Sequence, residues 1–401
     1  MALLLSPYVP AQDFPPSAKD ALKLVYEGRY GDALPLVEAE LAKLPKNVAL
    51  LHLRAVCKGK LGRHEEAIAD ASAAIELDPR HAGSYGERAY NLFQSGKVDQ
   101  ALADYDKSVE LDPKNPMVHG ERGDALLELG RYRDAMSAYD EASRLVPKWP
   151  NPHSQRGRAA TSLADFEAAH VSFARAVELA PDDLFSRFCL AGAQFDCRLD
   201  DEALDTARRL SRRSPDSYSI ALRGRLAWQL DRYELAREEL AKAAGRGKPG
   251  ERLDAQLSLG ILLLAQGESQ AALDGMPYDE DLQKTETLAP WLSLTRWCAR
   301  YALGLRDEAH ASLTAELAAC SEVDDEVREL ADLLTGEAPV TSFETPDGEH
   351  AAESCPALFF AGWRALIDGK EARADELLLQ CVETGAKQYM QWQAARTVLL
   401  R

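Results

Sequence analysis

The feature that most constrains this sequence is a proline that returns at a fixed interval. The interval is 34 residues throughout, and the prolines are Pro45, Pro79, Pro113, Pro147, Pro181, Pro215 and Pro249. Similar residues precede several of them, as in IELDP at 75–79, VELDP at 109–113 and VELAP at 177–181. A period in the range of about 20 to 50 residues is typical of a solenoid, in which each repeat packs only against its neighbours. The interval therefore favours one repeat array over two or three separate globular domains.

Each repeat unit carries two helical patterns, as residues 82–115 illustrate. The apolar stripe of the first pattern consists of Tyr85, Ala89 and Leu92, and that of the second consists of Ala101, Tyr105 and Val109. These spacings are those of one helix face. The segment QSGKVD separates the two patterns, and Asp112 with Pro113 ends the second, because proline disfavours helical geometry in the residue before it. Each unit is therefore predicted to be a helical hairpin.

In register, these units resemble the tetratricopeptide repeat family. Position 8 is small (Ala55, Ala89, Gly123, Gly157 and Ala191), position 15 is often glycine (Gly28, Gly62, Gly96 and Gly130), and position 20 is alanine (Ala33, Ala67, Ala101, Ala135, Ala169 and Ala203). Position 24 is often large, as at Tyr105, Tyr139 and Phe173, and the recurring proline stands at position 32. The resemblance implies an all-α fold, a right-handed α-α superhelix of about nine to ten helical hairpins.

The same pattern divides the chain into segments. A short N-terminal arm is predicted over 1–13, seven regular units over 14–250, and degenerate helical hairpins over 251–335. Residues 336–356 are rich in Gly, Pro, Ser, Thr and acidic residues, which predicts an exposed acidic loop. A last hairpin and a capping helix are predicted over 357–401, because an open stack needs a cover for its final apolar face.

Composition narrows the classes of partner and location. The chain has 65 acidic and 47 basic residues, a formal charge of −18, and nucleic acid is therefore not an expected partner. Seven scattered cysteines without a C-x-x-C pair fit a reducing compartment. The start, MALLLSPYVPAQ, has no basic residue ahead of a short apolar run, and no segment is apolar for long enough to insert into a membrane. We expect a cytoplasmic protein.

Motifs of catalysis are missing from the sequence, which has no G-x-G-x-x-G, P-loop, G-x-S-x-G or H-E-x-x-H. His119 and His153 occupy position 4 of consecutive units, where packing against a neighbouring helix explains them better than a metal does. Position 7 carries a row of arginines, namely Arg54, Arg88, Arg122, Arg156 and Arg223. We expect a structural ladder with acidic partners such as Asp70, Asp104 and Asp106. The prediction is no enzyme, no cofactor and no metal.

The opposite face of each first helix is a candidate binding surface. Positions 2, 5, 6, 9, 12 and 13 face away from the core stripe, and in tetratricopeptide arrays this side lines the concave groove. The residues predicted to contact a partner are Glu87, Tyr90, Phe93, Glu121, Asp124, Glu128, Arg158, Phe185, Phe188, Phe195, Tyr218, Arg225 and Trp228. The first part is acidic and the later part combines arginine with aromatic residues, a surface for a segment with basic and apolar side chains. An alternative left open is that the aromatic residues only fill the interior.

Two functions are consistent with this surface. The first is a non-catalytic scaffold or adaptor that binds a peptide or protein segment in the groove. The alternative is a regulatory sensor or enzyme-like protein that holds a small ligand in the same cavity. Lysine at position 5 and asparagine at position 9, by which related chaperone adaptors grip a terminal carboxylate, are replaced here, for example by Gly86 and Tyr90. We therefore expect no binding of chaperone tails, while self-association is left open.

Overall fold

Helices make up all the regular structure in this computed structural model, which describes Pro15 and residues 18–277, 288–320, 323–335, 355–383 and 390–399. No strand occurs within those ranges, and the all-α fold class is confirmed. The chain divides into two compact units, unit 1 over residues 1–198 and unit 2 over residues 199–401. The predicted N-terminal arm at 1–13, and the predicted loop up to residue 354, lie outside the described residues.

Unit 1 contains five helical hairpins followed by one further helix. The helices are α1 (Lys19–Tyr26), α2 (Tyr30–Lys43), α3 (Val48–Lys60), α4 (His64–Leu77), α5 (Ala82–Gln94), α6 (Val98–Leu111), α7 (Pro116–Glu128), α8 (Tyr132–Leu145), α9 (Pro150–Ser162), α10 (Phe166–Leu179) and α11 (Leu184–Asp196). The second helix of each hairpin also packs on the first helix of the next. This stacking is the solenoid arrangement that the period predicts.

Unit 2 continues the alternation with less regular lengths. Its helices are α12 (Asp200–Arg213), α13 (Ser217–Gln229), α14 (Tyr233–Ala244), α15 (Pro249–Ala265), α16 (Ser269–Asp274), α17 (Ala289–Ala302), α18 (Arg306–Ala319), α19 (Asp325–Thr335), α20 (Cys355–Ile367), α21 (Glu371–Glu383) and α22 (Met390–Leu399). The last helix, α22, packs on the α20–α21 hairpin and also contacts α15.

Local sequence sets where the helices begin and end. The side chain of Asn115 accepts hydrogen bonds from the backbone N–H groups of Met117 and Val118, at 3.1 and 3.4 Å, and so caps the start of α7. At the other end of a hairpin, Asp112 leaves the helical region with φ −135°, as expected for a residue that precedes proline. The repeated proline thus punctuates each hairpin through backbone geometry.

The turn inside each hairpin is also the same from unit to unit. In the third hairpin, the Lys97 N–H bonds the Leu92 carbonyl at 2.9 Å and the Gly96 N–H bonds the Phe93 carbonyl at 2.9 Å, the pattern of a Schellman motif. Its central residue, Gly96, has φ +74°. Three units place another residue at this left-handed position, namely Ala164 (φ +55°), Arg198 (φ +62°) and Asp231 (φ +57°). A side chain there strains the backbone.

One close contact fixes how the two helices of a hairpin pack. A Cβ atom added to Gly123 would lie 2.5 Å from the Tyr139 ring, and one added to Gly157 would lie 2.8 Å from the Phe173 ring. In both cases the partner stands sixteen residues later. The same spacing recurs in unit 2, at Gly224 with Leu240, Gly260 with Met276 and Gly362 with Leu378. The small residue at position 8 therefore accommodates the large residue at position 24.

The arginines at position 7 form the structural ladder that the sequence predicts. Arg54 makes two hydrogen bonds to the Asp70 carboxylate, at 2.8 and 2.5 Å, and Arg88 makes two to Asp104, at 2.6 and 2.7 Å. The partner of Arg122 is Asp106, on the second helix of the preceding hairpin, at 2.6 Å. All three predicted partners are confirmed. Because these arginines are only about a quarter exposed, the bonds hold neighbouring helices in register.

Replacing Ala164 by glycine should stabilise the protein. An L-residue in the left-handed region costs roughly 1–2 kcal/mol, and glycine avoids that cost at a smaller entropic penalty. We expect Ala164→Gly to raise the free energy of unfolding by about 0.5–1 kcal/mol, measured by urea denaturation. Ala174→Gly, inside helix α10 of the same hairpin, should lower it by about 1 kcal/mol. Equal losses in the free energy of unfolding for the two variants would contradict backbone strain at Ala164.

The contact between Gly157 and Phe173 predicts opposite results for two glycine substitutions. Gly157→Ala should lower the free energy of unfolding by about 1–2 kcal/mol, because the new methyl group overlaps the buried Phe173 ring. Gly192→Ala, in helix α11, meets no atom within 4 Å and should gain up to about 1 kcal/mol from helix propensity. Thermal unfolding of both variants checks this, and a stable Gly157→Ala protein would contradict the packing rule.

Candidate partner-binding surface

The predicted partner-contacting residues fall into two groups, one in each unit. Ten of them lie in unit 1, on helices α5, α7, α9 and α11, while Tyr218, Arg225 and Trp228 lie on α13 in unit 2. We call the side of α5, α7, α9 and α11 that bears these ten residues the inner face of unit 1. Because the helices are the first members of successive hairpins, their equivalent positions follow one another along this face.

A cavity of about 440 Å³ opens on the inner face between α5, α7 and α9. It is lined by Phe93, Asp124, Leu127, Glu128, Tyr132, Gln155, Arg158 and Ser162. Four of these, Phe93, Asp124, Glu128 and Arg158, are among the residues predicted from the sequence. The structure therefore brings together residues that lie up to 65 positions apart in the chain.

Four lining residues were not among the predicted ones. Leu127, Gln155 and Ser162 stand at positions 12, 6 and 13 of their units, so the face rule covers them, but they are neither charged nor aromatic. Tyr132 begins helix α8, the second helix of its hairpin, and the rule for first helices cannot find it. The positional signal was thus sufficient for three of the four residues.

A hydrogen-bond network holds one wall of the cavity. The Tyr139 hydroxyl donates to the Asp124 carboxylate at 2.8 Å, and the Gln155 side-chain amide donates to the same oxygen at 3.1 Å. Arg158 in turn donates to the Gln155 side-chain oxygen at 2.9 Å. Burial raises the pKa of Asp124, and the bonds from Tyr139 and Gln155 oppose that rise. Asp124 therefore shapes the wall rather than offering a free charge.

Glu87 is buried rather than displayed on the surface. Its side chain is 6% exposed, and its Oε1 accepts a hydrogen bond from the Asn91 amide at 2.7 Å. Burial raises the pKa of Glu87 to about 7, against the opposing effect of the Lys60 ammonium. The prediction that Glu87 contributes negative charge to a binding surface is therefore wrong, because the interior disfavours the ionised form.

Tyr90, Glu121 and Glu128 occupy the neighbouring part of the inner face. The Lys60 ammonium lies 3.9 Å from the centre of the Tyr90 ring, a cation–π contact. Glu121 is half-buried and Glu128 is exposed. Of the four predicted carboxylates, those of Glu87 and Asp124 make hydrogen bonds within the protein. The carboxylate of Glu128 is the most exposed to solvent.

Helix α11 presents large apolar side chains to solvent. Phe185 is 52% exposed, Leu184 38% and Phe188 36%, while Phe195 is half-buried. We call Leu184, Phe185 and Phe188 the α11 patch. Exposed apolar side chains grouped on one helix are a common mark of an interaction site. The interpretation that these aromatic residues only fill the interior does not fit Phe185 and Phe188.

In unit 2 the predicted residues have different environments. Tyr218 is 55% exposed, whereas Arg225 is half-buried and forms an ion pair with Asp254 of α15. Trp228 is 1% exposed, and its indole N–H donates to the Thr397 hydroxyl of α22 at 3.1 Å. The prediction that Trp228 contacts a partner is therefore wrong in this structure, because the C-terminal helix covers it.

Among the described residues, the two histidines at position 4, His119 and His153, lie against protein groups rather than in a metal site. The Nε2 atom of His119 lies 2.9 Å from the Pro113 carbonyl oxygen, while that of His153 is buried without a hydrogen-bond partner. Within the described part of the chain, no three His, Cys, Asp or Glu side chains are grouped as metal ligands would be. Nor does any described helix combine the length and apolar character that crossing a bilayer requires.

Comparison with known proteins places this geometry in a family. The family model of the tetratricopeptide repeat matches residues 20–82, 87–150 and 222–275. The chain is a tetratricopeptide repeat protein. No curated protein shows significant sequence similarity to this tetratricopeptide repeat protein. Proteins of the family are in general non-catalytic scaffolds for protein interaction.

Several solved structures are similar to this tetratricopeptide repeat protein at low sequence identity. YrrB, described as a protein of this family with an unusual peptide-binding site, is 24% identical, with 49% of this chain and 97% of YrrB covered and a TM-score of 0.43. A tetratricopeptide repeat protein from Parabacteroides merdae is 19% identical. The match covers 63% of this chain and 99% of that protein, with a TM-score of 0.42. PilF from Pseudomonas aeruginosa is 20% identical. The match covers 48% of this chain and 88% of PilF, with a TM-score of 0.42. Such distant similarities transfer no binding site.

The buried Glu87 predicts a pH-dependent stability. Its pKa rises from an ordinary value of 4.5 to about 7, so the folded state binds more protons than the unfolded state between these pH values. Stability is therefore lost as pH increases through this window. Glu87→Gln keeps an acceptor for Asn91 and cannot ionise. We expect the variant to be more stable than the wild type at pH 8, by on the order of 2 kcal/mol, with little difference near pH 4.

Urea unfolding at pH 4 and pH 8 measures this difference directly. Glu128→Gln, which changes an exposed carboxylate on the same inner face, is the matched control and should show no such pH dependence. A Glu87→Gln protein whose advantage is the same at both pH values would contradict the raised pKa of Glu87 in the folded state.

Proposed function

We propose that this chain is a non-catalytic scaffold that binds a segment of a partner protein on the inner face of unit 1. The observation that carries the proposal is the cavity in which Phe93, Asp124, Glu128 and Arg158 meet. All four stand on helix positions that face away from the hairpin core. The general role of the family in protein interaction supports the same conclusion.

The chemistry of the cavity indicates what kind of segment it would accept. Phe93, Leu127 and Tyr132 supply apolar and aromatic surface, Glu128 supplies an exposed carboxylate, and Arg158 supplies a guanidinium. A volume of about 440 Å³ is within the usual range of about 300–1,000 Å³ for binding pockets. One large apolar side chain would enter the cavity, and a neighbouring lysine or arginine would pair with Glu128.

The α11 patch extends the proposed surface. The Ser186 hydroxyl of α11 donates a hydrogen bond to the Ser154 hydroxyl of α9 at 2.9 Å. Helix α11 therefore packs beside the helix that carries Arg158. A bound segment that leaves the cavity past Arg158 would find Phe188 and Phe185 next, and their exposed rings would contribute apolar contact area.

The proposal includes a protein partner rather than nucleic acid, and a cytoplasmic location. A formal charge of −18 opposes binding to phosphate backbones, and an odd number of scattered cysteines suits a reducing compartment. A second copy of the chain would also be a protein partner, with the α11 patch as the contact. Size-exclusion chromatography of the wild type and of Phe185→Ala separates self-association from binding of a different protein.

A small-ligand sensor is the second candidate, and the size of the cavity is the observation that favours it. Gln155, Asp124 and Arg158 place fixed donors and acceptors along one wall, as small-molecule sites do. A ligand that binds only the folded state raises the melting temperature. A thermal-shift screen of metabolites therefore distinguishes this candidate from the scaffold.

Peptide display tests the scaffold proposal and needs no identified partner. Random peptides selected on the wild-type protein should combine a large apolar residue with lysine or arginine. The double variant Phe188→Ala and Glu128→Lys should weaken binding of the selected peptides at least tenfold, because it removes apolar contact and reverses the charge at the cavity. Fluorescence anisotropy of labelled peptides measures the dissociation constants.

The matched control changes the same residue types on other surfaces. Phe166 is 36% exposed, as Phe188 is, and lies on α10, while Glu141 is a half-exposed carboxylate on α8. The double variant Phe166→Ala and Glu141→Lys should bind the selected peptides as the wild type does. Equal loss in both double variants, or selection of peptides without apolar and basic residues, would count against the inner face as the site.

A further inference from the structure

A second cavity, in unit 2, is lined mainly by cations. It has a volume of about 410 Å³ and lies among α12, α13, α14 and the segments that follow them. Its lining residues are Arg208, Ser211, Arg212, Pro215, Ile220, Arg223, Glu239, Lys242 and Arg246. Five cations and a single carboxylate thus surround one space. In a chain with a formal charge of −18, this local excess of positive charge needs an explanation.

The arginine ladder shows how the cavity departs from the rest of the repeat. Arg122 and Arg156 pair with Asp106 and Asp140, each of which is the ninth residue of the preceding second helix. The ninth residue of α12, which occupies the equivalent place beside Arg223, is Arg208. Arg223 keeps a partner across its own hairpin, Glu239, as Arg54 keeps Asp70, but at the ninth position of α12 a cation stands where α6 and α8 carry a carboxylate.

The neighbouring carboxylates do not neutralise all the cations. Glu239 lies 3.1 Å from both Arg223 and Lys242, and it is 5% exposed. Outside the cavity, Asp205 pairs with Arg208 and Glu238 pairs with Lys242.

Two cations are left over. Arg246 donates to the Pro215 carbonyl at 3.0 Å, and neither it nor Arg212 has a carboxylate partner among the described residues. Their guanidinium groups therefore have N–H donors available for a ligand.

Helix ends offer a competing structural explanation. Arg212 lies in the last turn of α12 and Lys242 in the last turn of α14, where cations stabilise the negative end of the helix dipole. Each helix end is equivalent to only about half a negative charge. Glu239, Asp205 and Glu238 balance three of the five cations, and the two helix ends together balance about one more. The dipoles therefore explain the tolerance of cations here but leave a positive excess at the cavity.

We propose that this basic cavity binds a ligand of the phosphate class that carries two or more negative charges. Guanidinium groups bind phosphate and carboxylate oxygens through paired N–H donors. A single carboxylate would satisfy one arginine, whereas Arg212, Arg246 and the partly engaged Arg208 together suit several anionic oxygens. Both a free phosphate compound and a phosphorylated side chain of a bound protein have this chemistry.

This site is separate from the proposed partner-binding surface. All its lining residues belong to unit 2, and none of them lines the cavity on the inner face of unit 1. Failure of the peptide experiment would leave the anion site standing, and the reverse also holds. The two inferences therefore depend on different measurements.

Calorimetric titration of the full chain with pyrophosphate tests the proposal. We expect saturable binding by the wild type that weakens as sodium chloride rises, because salt screens the charges. Arg212→Gln with Arg246→Gln should reduce the affinity at least tenfold. The single variant Arg212→Gln, which removes no hydrogen bond or ion pair to a described residue, should reduce the affinity at least threefold and keeps the test valid if the double variant is unstable. Arg131→Gln with Arg144→Gln, two exposed arginines of unit 1, should bind as the wild type does.

A second arm identifies the source of the anion. A phosphoserine peptide that binds more tightly than pyrophosphate, and also more tightly than its unphosphorylated form, would indicate a phosphorylated protein segment. Tighter binding of pyrophosphate would indicate a free phosphate compound, and either result supports the phosphate class. The proposal is overturned if none of these anions binds, or if the Arg212 variants bind as tightly as the wild type.

Discussion

The rest of the structure depends on one contact, between a small residue in the first helix of each hairpin and a large residue sixteen positions later. Gly157 under the Phe173 ring and Gly224 against Leu240 show the same spacing in different units. Because interiors are close-packed, a glycine or alanine here lets the two helices approach, and the large side chain fills the remaining space. Each hairpin thus has one register, and the array repeats it.

This fixed register gives the faces of each first helix different roles, because one face packs against neighbouring helices and the opposite face does not. The arginine at position 7 stands beside the close contact and meets a carboxylate across the hairpin or on the preceding one, as Arg54 does with Asp70. The opposite face is released from packing and carries the cavity at Phe93 and Glu128. Where Arg208 stands at the place that Asp106 and Asp140 occupy in unit 1, the same scaffold produces a basic cavity instead. Function in such an array lies in departures from the repeat, because the repeat itself satisfies its own contacts.

The C-terminal helix shows that a repeat array can also cover its own face. In addition to the bond from Trp228 to Thr397, the Gln393 amide donates to the Trp228 carbonyl at 2.9 Å, and Arg396 pairs with Asp231 at 2.6 Å. These contacts join positions about 165 residues apart. The face of α13 around Trp228 is therefore core, whereas the equivalent face in unit 1 retains an open cavity and the exposed rings of α11.

The sequence by itself determined the helical hairpins, the period, the arginine ladder and half of the cavity lining, namely Phe93, Asp124, Glu128 and Arg158. These follow from local rules, since caps, turns and helix faces are set by residues at most a few dozen positions apart. Only the tertiary structure decided that Trp228 is covered, that Glu87 is buried with a raised pKa, and that Tyr132 completes the cavity. Burial and solvation depend on which distant segments of the chain come into contact, and helix periodicity does not predict those contacts.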